Sequence, residues 1–227
     1  MLDERLGLVY DFYDSCALAA DIGTDHGLLP CALLENGKCE RMILTDISEK
    51  ALSNAKNEAS KRGLTGRISF RCGNGLLPVT EKCGTVSVTG MGGKTIAGIL
   101  SEGRQHLAGC SLILSAHTDL PEVRQAVADI GYHLTREEVC MAAGRFYLVL
   151  KAVPGTVYTS DRDIRLGSLL FSSASPYLVP YIERRISVLD EKLRGLMLRS
   201  GTDSQSEMTA QIISDIDFYR ERIREHA

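Results

Sequence analysis

The chain has 227 residues, 44% of them hydrophobic and 24% charged, with 26 Lys plus Arg against 29 Asp plus Glu and a formal charge of −3. Such values exclude a disordered tail, a collagen-like fibre and a disulfide knot, and the length suits one α/β domain with a small appendage. A globally basic nucleic-acid binder is not indicated, and a local basic patch stays open.

In chain order, an amphipathic helix comes first, with Leu2, Leu6, Val9 and Tyr13 on one face, placed to cover the sheet or a ligand site. Arg5 on this helix either reaches a bound carboxylate or is simply solvated. Short apolar runs then alternate with helical patterns up to about residue 152. The runs are 18–22, 42–46, 68–70, 85–89 and 111–114, and helices are expected at about 28–36, 48–62, 93–102 and 119–130. This alternation predicts a parallel sheet with helices on both faces. The segments 132–140 and 145–152 are separated only by Met141-Ala142-Ala143-Gly144, too short for a helical crossover, so they should pair antiparallel. Five βα units and a terminal hairpin make the order of a methyltransferase sheet rather than that of a six-stranded dinucleotide fold. The fold class is therefore α/β, a Rossmann-like seven-stranded sheet, with domain 1–153.

Residues 154–161 read as a linker, and the second domain, 154–227, is purely helical. Ile182, Ile186, Leu189, Leu193 and Leu196 form one stripe. Gly201-Thr202-Asp203-Ser204 breaks it, and Met208, Ile212, Ile216, Tyr219 and Ile223 form a second. Two such helices make an antiparallel coiled-coil hairpin with both stripes in its core. Arg185, Lys192 and Arg199 are spaced by seven and share a helix face, which serves either as a phosphate-binding stripe or as the charged flank of the coiled coil.

The seven cysteines form no CxxC pair and read as reduced thiols of a cytoplasmic protein. The five histidines lack zinc spacing, so no metal is expected. Acids at Asp3 and Glu4 replace a signal core, and no stretch approaches the roughly 18 apolar residues of a membrane span. A monomer is favoured.

The most informative motif is Asp21-Ile22-Gly23-Thr24-Asp25-His26-Gly27, between a strand and a helix. Glycines there permit a tight turn and close ligand approach, but both dinucleotide and sulfonium sites use them. The acids discriminate. A pyrophosphate needs bare amide donors at a helix N-terminus, and Asp21 and Asp25 would put negative charge beside it. S-adenosyl-L-methionine (SAM) carries a sulfonium and an ammonium, which carboxylates favour. Asp25 as a helix cap is the alternative. Asp46 ends the second strand, where a carboxylate accepts from a ribose diol, with Ile47 following it. Asn74-Gly75 ends the third strand and either contacts the adenine of the cofactor or makes a simple turn. Gly90-Met91-Gly92-Gly93 follows the fourth strand, where an acceptor should sit beside the methyl donor. Its glycines leave space for a flat base or merely open the next helix.

Asp21 to Pro30 (DIGTDHGLLP) and Gly90 to Gly93 (GMGG) resemble the bacterial tRNA (adenine-N1)-methyltransferases that modify position 22 of tRNA. Arg5-Leu6, Gly144-Arg145-Phe146-Tyr147 and Leu166-Gly167 are also similar, so the resemblance spans nearly the whole chain. It implies a class I methyltransferase fold, SAM as cofactor and tRNA as partner. Two segments depart from the family pattern: Asn74 stands where an acid is usual, and Ser115-Ala116-His117-Thr118 replaces Gln-Pro followed by Asn or Gln. Adenine N1 attacks a methyl group without a general base, so positioning and water exclusion would supply the catalysis. The base would be flipped toward Met91 and Gly92, with Asp25 as the carboxylate beside the cationic product and His26 and His117 as candidates for base contacts. A methyltransferase of a small molecule or protein, and a non-catalytic RNA-binding module, are the competing readings.

Overall fold

Strand residues alternate between two apolar layers. Ala19, Met42, Leu44, Ile113 and Val149 face one cluster, while Ala20, Ile43, Leu112, Leu114, Leu148 and Leu150 face the other. This period of two places both faces of one sheet in contact with helices. The computed structural model describes residues 2–107, 109–198 and 203–226. Its strands are β1 (Cys16–Ile22), β2 (Cys39–Asp46), β3 (Ile68–Cys72), β4 (Thr85–Met91), β5 (Ser111–Ala116), β6 (Tyr132–Ala142) and β7 (Arg145–Pro154). They form a seven-stranded sheet in the order β3-β2-β1-β4-β5-β7-β6. The first five are parallel, and β7 enters antiparallel between β5 and β6. The expected hairpin is present, turning through Ala143 and Gly144, both with positive φ.

Helices α1 (Glu4–Phe12), α2 (Leu28–Glu35) and α3 (Glu49–Lys61) cover one face, contributing Val9, Phe12, Leu33 and Ala55 to its core. Helices α4 (Gly93–Glu102) and α5 (Leu120–Asp129) cover the other with Ile96, Leu100, Val123 and Val127. Asp3 caps α1 by accepting from Leu6 N at 2.8 Å, and Ser48 caps α3 by accepting from Ala51 N at 3.3 Å.

After Pro154 the chain is irregular until α6 (Asp161–Leu166), where Ser160 and Asp163 form a capping box. A 3-10 turn (Ser168–Ser172) leads to α7 (Leu178–Met197) and α8 (Asp203–His226). The two long helices pair as expected; α6 and the turn are additional. The apolar cluster of β4, β5 and β7 continues without a break into Leu166, Leu170, Phe171, Leu178, Tyr181, Ile182 and Tyr219. Ile212 and Ile216 are buried, but Met208 is 45% exposed, contrary to its assignment to the core stripe. Met208 lies near the tip of the hairpin, where Met197 and Leu198 are exposed too and the sheet no longer backs the helices.

Candidate functional site

The strand order reverses between β1 and β4, and the loops leaving their carboxyl ends meet there, the usual place for a ligand in an open α/β sheet. The loop after β1 folds back on the neighbouring strand. Gly23 N and Thr24 N both donate to Thr45 O, at 2.8 and 3.2 Å. Gly23 has φ +74, and a Cβ built on it would collide with Met91 Cε at the end of β4. The first loop is thus packed against the end of β4 through the absence of one side chain.

A cavity of about 370 Å³ lies between these loops and α1, lined among others by Arg5, Asp21, Asp25, His26, Gly90 and His117. Gly23 and Gly27 line it as well, whereas Met91 and Gly92 do not. Arg5 is not simply solvated: it is half-buried on the cavity wall, 5.5 Å from the Tyr147 ring centroid. Asp25 has φ 49 and an exposed carboxylate 3.6 Å from His26 Nε2. It is not the cap of α2; that position belongs to Gly27, and no side chain bonds there.

Asp21 sits beneath the loop, 5% exposed. Tyr13 Oη donates to Ser87 Oγ at 2.6 Å, and Ser87 donates onward to Asp21 Oδ1. Burial raises the Asp21 carboxyl pKa, aided by the charge of Asp46 and opposed by the hydrogen bonds of Ser87 and Thr24. Burial, with the Asp21 carboxylate, also pushes the Tyr13 phenol well above its ordinary range, so Tyr13 is a neutral donor. Ser87 and Tyr13 had no signature in the sequence beyond an apolar context.

Asp46, at the end of β2, ties two loops together: Oδ1 accepts from Ser48 N at 2.9 Å and Oδ2 from Asp25 N at 3.5 Å. Ile47 beside it is 76% exposed, an apolar surface left open at the strand end. Asn74 is exposed, and its amide donates to Glu102 Oε2 at 3.2 Å; the Gly75 carbonyl accepts from Thr45 Oγ1 at 3.0 Å. Asp46, Ile47, Asn74 and Gly75 thus follow the ends of β2 and β3, beside the first loop.

The glycines around the end of β4 divide. Gly90 has φ +79 and faces Arg5, whereas a Cβ on Gly93 would run into the backbone carbonyls of Thr118 and Asp119. The space expected for a flat base at Gly93 is therefore occupied by the loop after β5, which Gly93 N also bonds through Thr118 O at 3.0 Å.

The basic stripe is likewise not one surface. Arg185 is half-buried and turned toward Tyr181 and Tyr219, Lys192 is exposed, and Arg199 lies outside the described residues. Among the described residues, no group of three or more His, Cys, Asp or Glu is arranged to hold a metal ion, and no helix is long and apolar enough to cross a membrane.

Two carboxylates, a loop without Lys or Arg and an exposed apolar side chain suit a cationic ligand carrying a ribose and a flat base. The donor set fits SAM and disfavours a pyrophosphate. Comparison with known proteins agrees with this chemistry. The family model described as Methyltransferase domain matches residues 2–150. A tRNA (adenine(22)-N(1))-methyltransferase of Bacillus subtilis (strain 168) is 33% identical over 174 residues, 76% of this chain and 71% of that protein. The chain belongs to this methyltransferase family. Its fold extends to the full length of solved members. The structure of M. capricolum TrmK with S-adenosyl-homocysteine covers 98% of this chain and 99% of its own, at 27% identity and a TM-score of 0.85. Streptococcus pneumoniae Sp1610 in complex with S-adenosyl-L-methionine gives the same coverage, at 29% identity and a TM-score of 0.84.

Proposed function

We propose that this chain transfers the methyl group of SAM to N1 of the adenine at position 22 of tRNA. The observation that carries the reading is the acid-lined loop packed against the end of β4, in a chain of this methyltransferase family. When bound, SAM supplies an electrophilic methyl group. Residues 1–153 act as its binding domain and residues 154–227 as a helical arm.

Asp46 accepts from the ribose diol, and Ile47, Asn74 and Gly75 bound the adenine end. Gly23 and Gly27 let the loop approach the ligand backbone-first. Asp21, held by Ser87, favours the cationic end, and Arg5 meets the carboxylate at the opposite wall. His26 and Gly90 close the cavity, and Met91 packs behind Gly23. Asp25 and the Met91-Gly92 segment form the acceptor side, where the exposed Asp25 carboxylate favours the cationic product. N1 of adenine carries its own lone pair, so the residues align the two reactants and exclude water rather than remove a proton. Lys192 and Arg199 contact tRNA phosphates.

A cytoplasmic location is supported by seven free cysteines. The test is incubation with labelled SAM and bulk tRNA from a strain lacking the modification, followed by mapping of the label. Label at N1 of adenine 22 is expected. Label on protein or small molecules alone overturns the assignment.

A further inference from the structure

A second cavity, of about 360 Å³, opens beyond His117, between the loop after β5 and the helices α6, α7 and α8. His117 lines both cavities, so this one shares a wall with the proposed methyl-transfer site. Three arginines reach it, against one acid, Asp119. Two of the three are committed. Arg124 pairs with Glu137 at 2.6 Å and Arg165 with Asp215 at 3.0 Å. The Asp119 carboxylate is exposed and accepts from Thr118 Oγ1 at 2.8 Å.

Arg185 differs. Its Nε is buried and has no hydrogen-bond partner. The phenols of Tyr181 and Tyr219 lie close to the guanidinium, and the nearby Asp215 carboxylate already accepts from Arg165 and Gln211. Tyr219 hydrogen-bonds the guanidinium, but among the described residues no carboxylate forms an ion pair with it, so Arg185 lines the cavity with its charge uncommitted and suits an anion there. The guanidinium fork matches a phosphodiester bidentately. Phe146 and Tyr181, 5.7 Å apart edge to face, add aromatic surface to the wall, and aromatic rings accept nucleobases of any sequence. The volume exceeds that of one phosphate group.

We propose that this cavity seats the phosphodiester and nucleoside adjoining the target adenosine, with Arg185 as the phosphate ligand. The inference rests on the tRNA reading above and adds an RNA contact inside the molecule to those of Lys192 and Arg199 on the helix. Gripping the neighbouring linkage would fix where the flipped base enters the first cavity.

The experiment uses the full-length chain and two tRNAs, each with one neutral methylphosphonate, on the 5′ or the 3′ side of adenosine 22. One linkage is expected to weaken wild-type binding by about tenfold or more, the loss of a charge-assisted hydrogen bond. Arg185→Gln should bind unmodified tRNA about as weakly and lose nothing further at that linkage, while binding SAM normally. If Arg185→Gln fails to fold, judged by SAM binding, Arg185→Lys serves in the same cycle, because it keeps the charge but not the buried Nε. No loss at either linkage for wild type, or an equal loss in wild type and variant, overturns the proposal. Methylation of unmodified tRNA by the wild type is read separately, so failure of the enzymatic reading is distinguishable.

Discussion

The terminal methyl of Met91 lies over Gly23, in the space that a Cβ at position 23 would need. The contact joins the loop after β1 to the end of β4 at the switch point, and it depends on a residue with φ +74. Gly23→Ala must displace the flexible tip of Met91 and hold alanine in left-handed backbone, which costs about 1–2 kcal/mol. Chemical denaturation should show a loss of this size, and calorimetry a weaker SAM affinity. Wild-type values for both would remove this contact from the architecture of the site.

Asp46 accepts two backbone N–H groups at the loop ends, and its remaining lone pairs are available to a diol. Asp46→Ala should therefore weaken SAM binding by about tenfold to a hundredfold, as expected for lost hydrogen bonds to a charged group. The sheet is untouched, so circular dichroism should match wild type. Undiminished affinity would refute the ribose assignment.

Asp21 makes stability depend on pH. Burial raises its carboxyl pKa, so the folded chain holds this proton to higher pH than the unfolded chain does. The contribution is full below the ordinary carboxyl value of about 3.9 and is lost as pH rises through the raised folded value. Asp21→Asn is neutral throughout. Its ligand-free Tm should exceed that of wild type at pH 7, and the gap should narrow toward pH 4. A gap that stays constant across this range is the outcome to look for against the argument. SAM affinity should fall in the same variant.

Arg124 and Glu137 form an ion pair 2.6 Å long, with side chains 3% and 0% exposed. Arg124 also donates to Ile164 O at 3.2 Å, linking α5 to α6. Arg124→Met leaves a buried carboxylate unpaired and should cost about 3–5 kcal/mol in urea denaturation. Replacing both residues with apolar ones of similar size should recover most of that loss. If the double variant is as unstable as the single, the pair matters through packing rather than charge.

Lys192 is exposed on α7. Lys192→Glu should weaken tRNA binding without altering SAM binding and lower the salt dependence by about one phosphate contact. Filter binding at several ionic strengths measures both. An unchanged slope would leave Lys192 outside the RNA footprint.

Much of this architecture is readable from residue order. Alternation such as Ala19/Ala20 and Leu112/Ile113 reports a sheet covered on both sides, and a connection too short for a helix, only Ala143 and Gly144 in the structure, leaves β6 and β7 no option but antiparallel pairing. Asp46 and the glycine loop are legible because strand-end position and chemistry coincide. Arg185 was not. Seven-residue spacing marks a helix face, but it cannot register that the flank beside Ile182 is packed against the sheet as well as against α8. Gly93 misleads for a related reason, since a missing side chain admits protein backbone as readily as substrate. The bonds from Tyr13 to Ser87 and from Ser87 to Asp21 span 74 and 66 residues, and no local pattern encodes them.

The unbroken apolar seam from β4, β5 and β7 to Tyr181, Ile182 and Tyr219 has a mechanical consequence. The base of the helical arm is welded to the sheet rather than jointed to it, so heat should melt that base and the sheet as one cooperative unit.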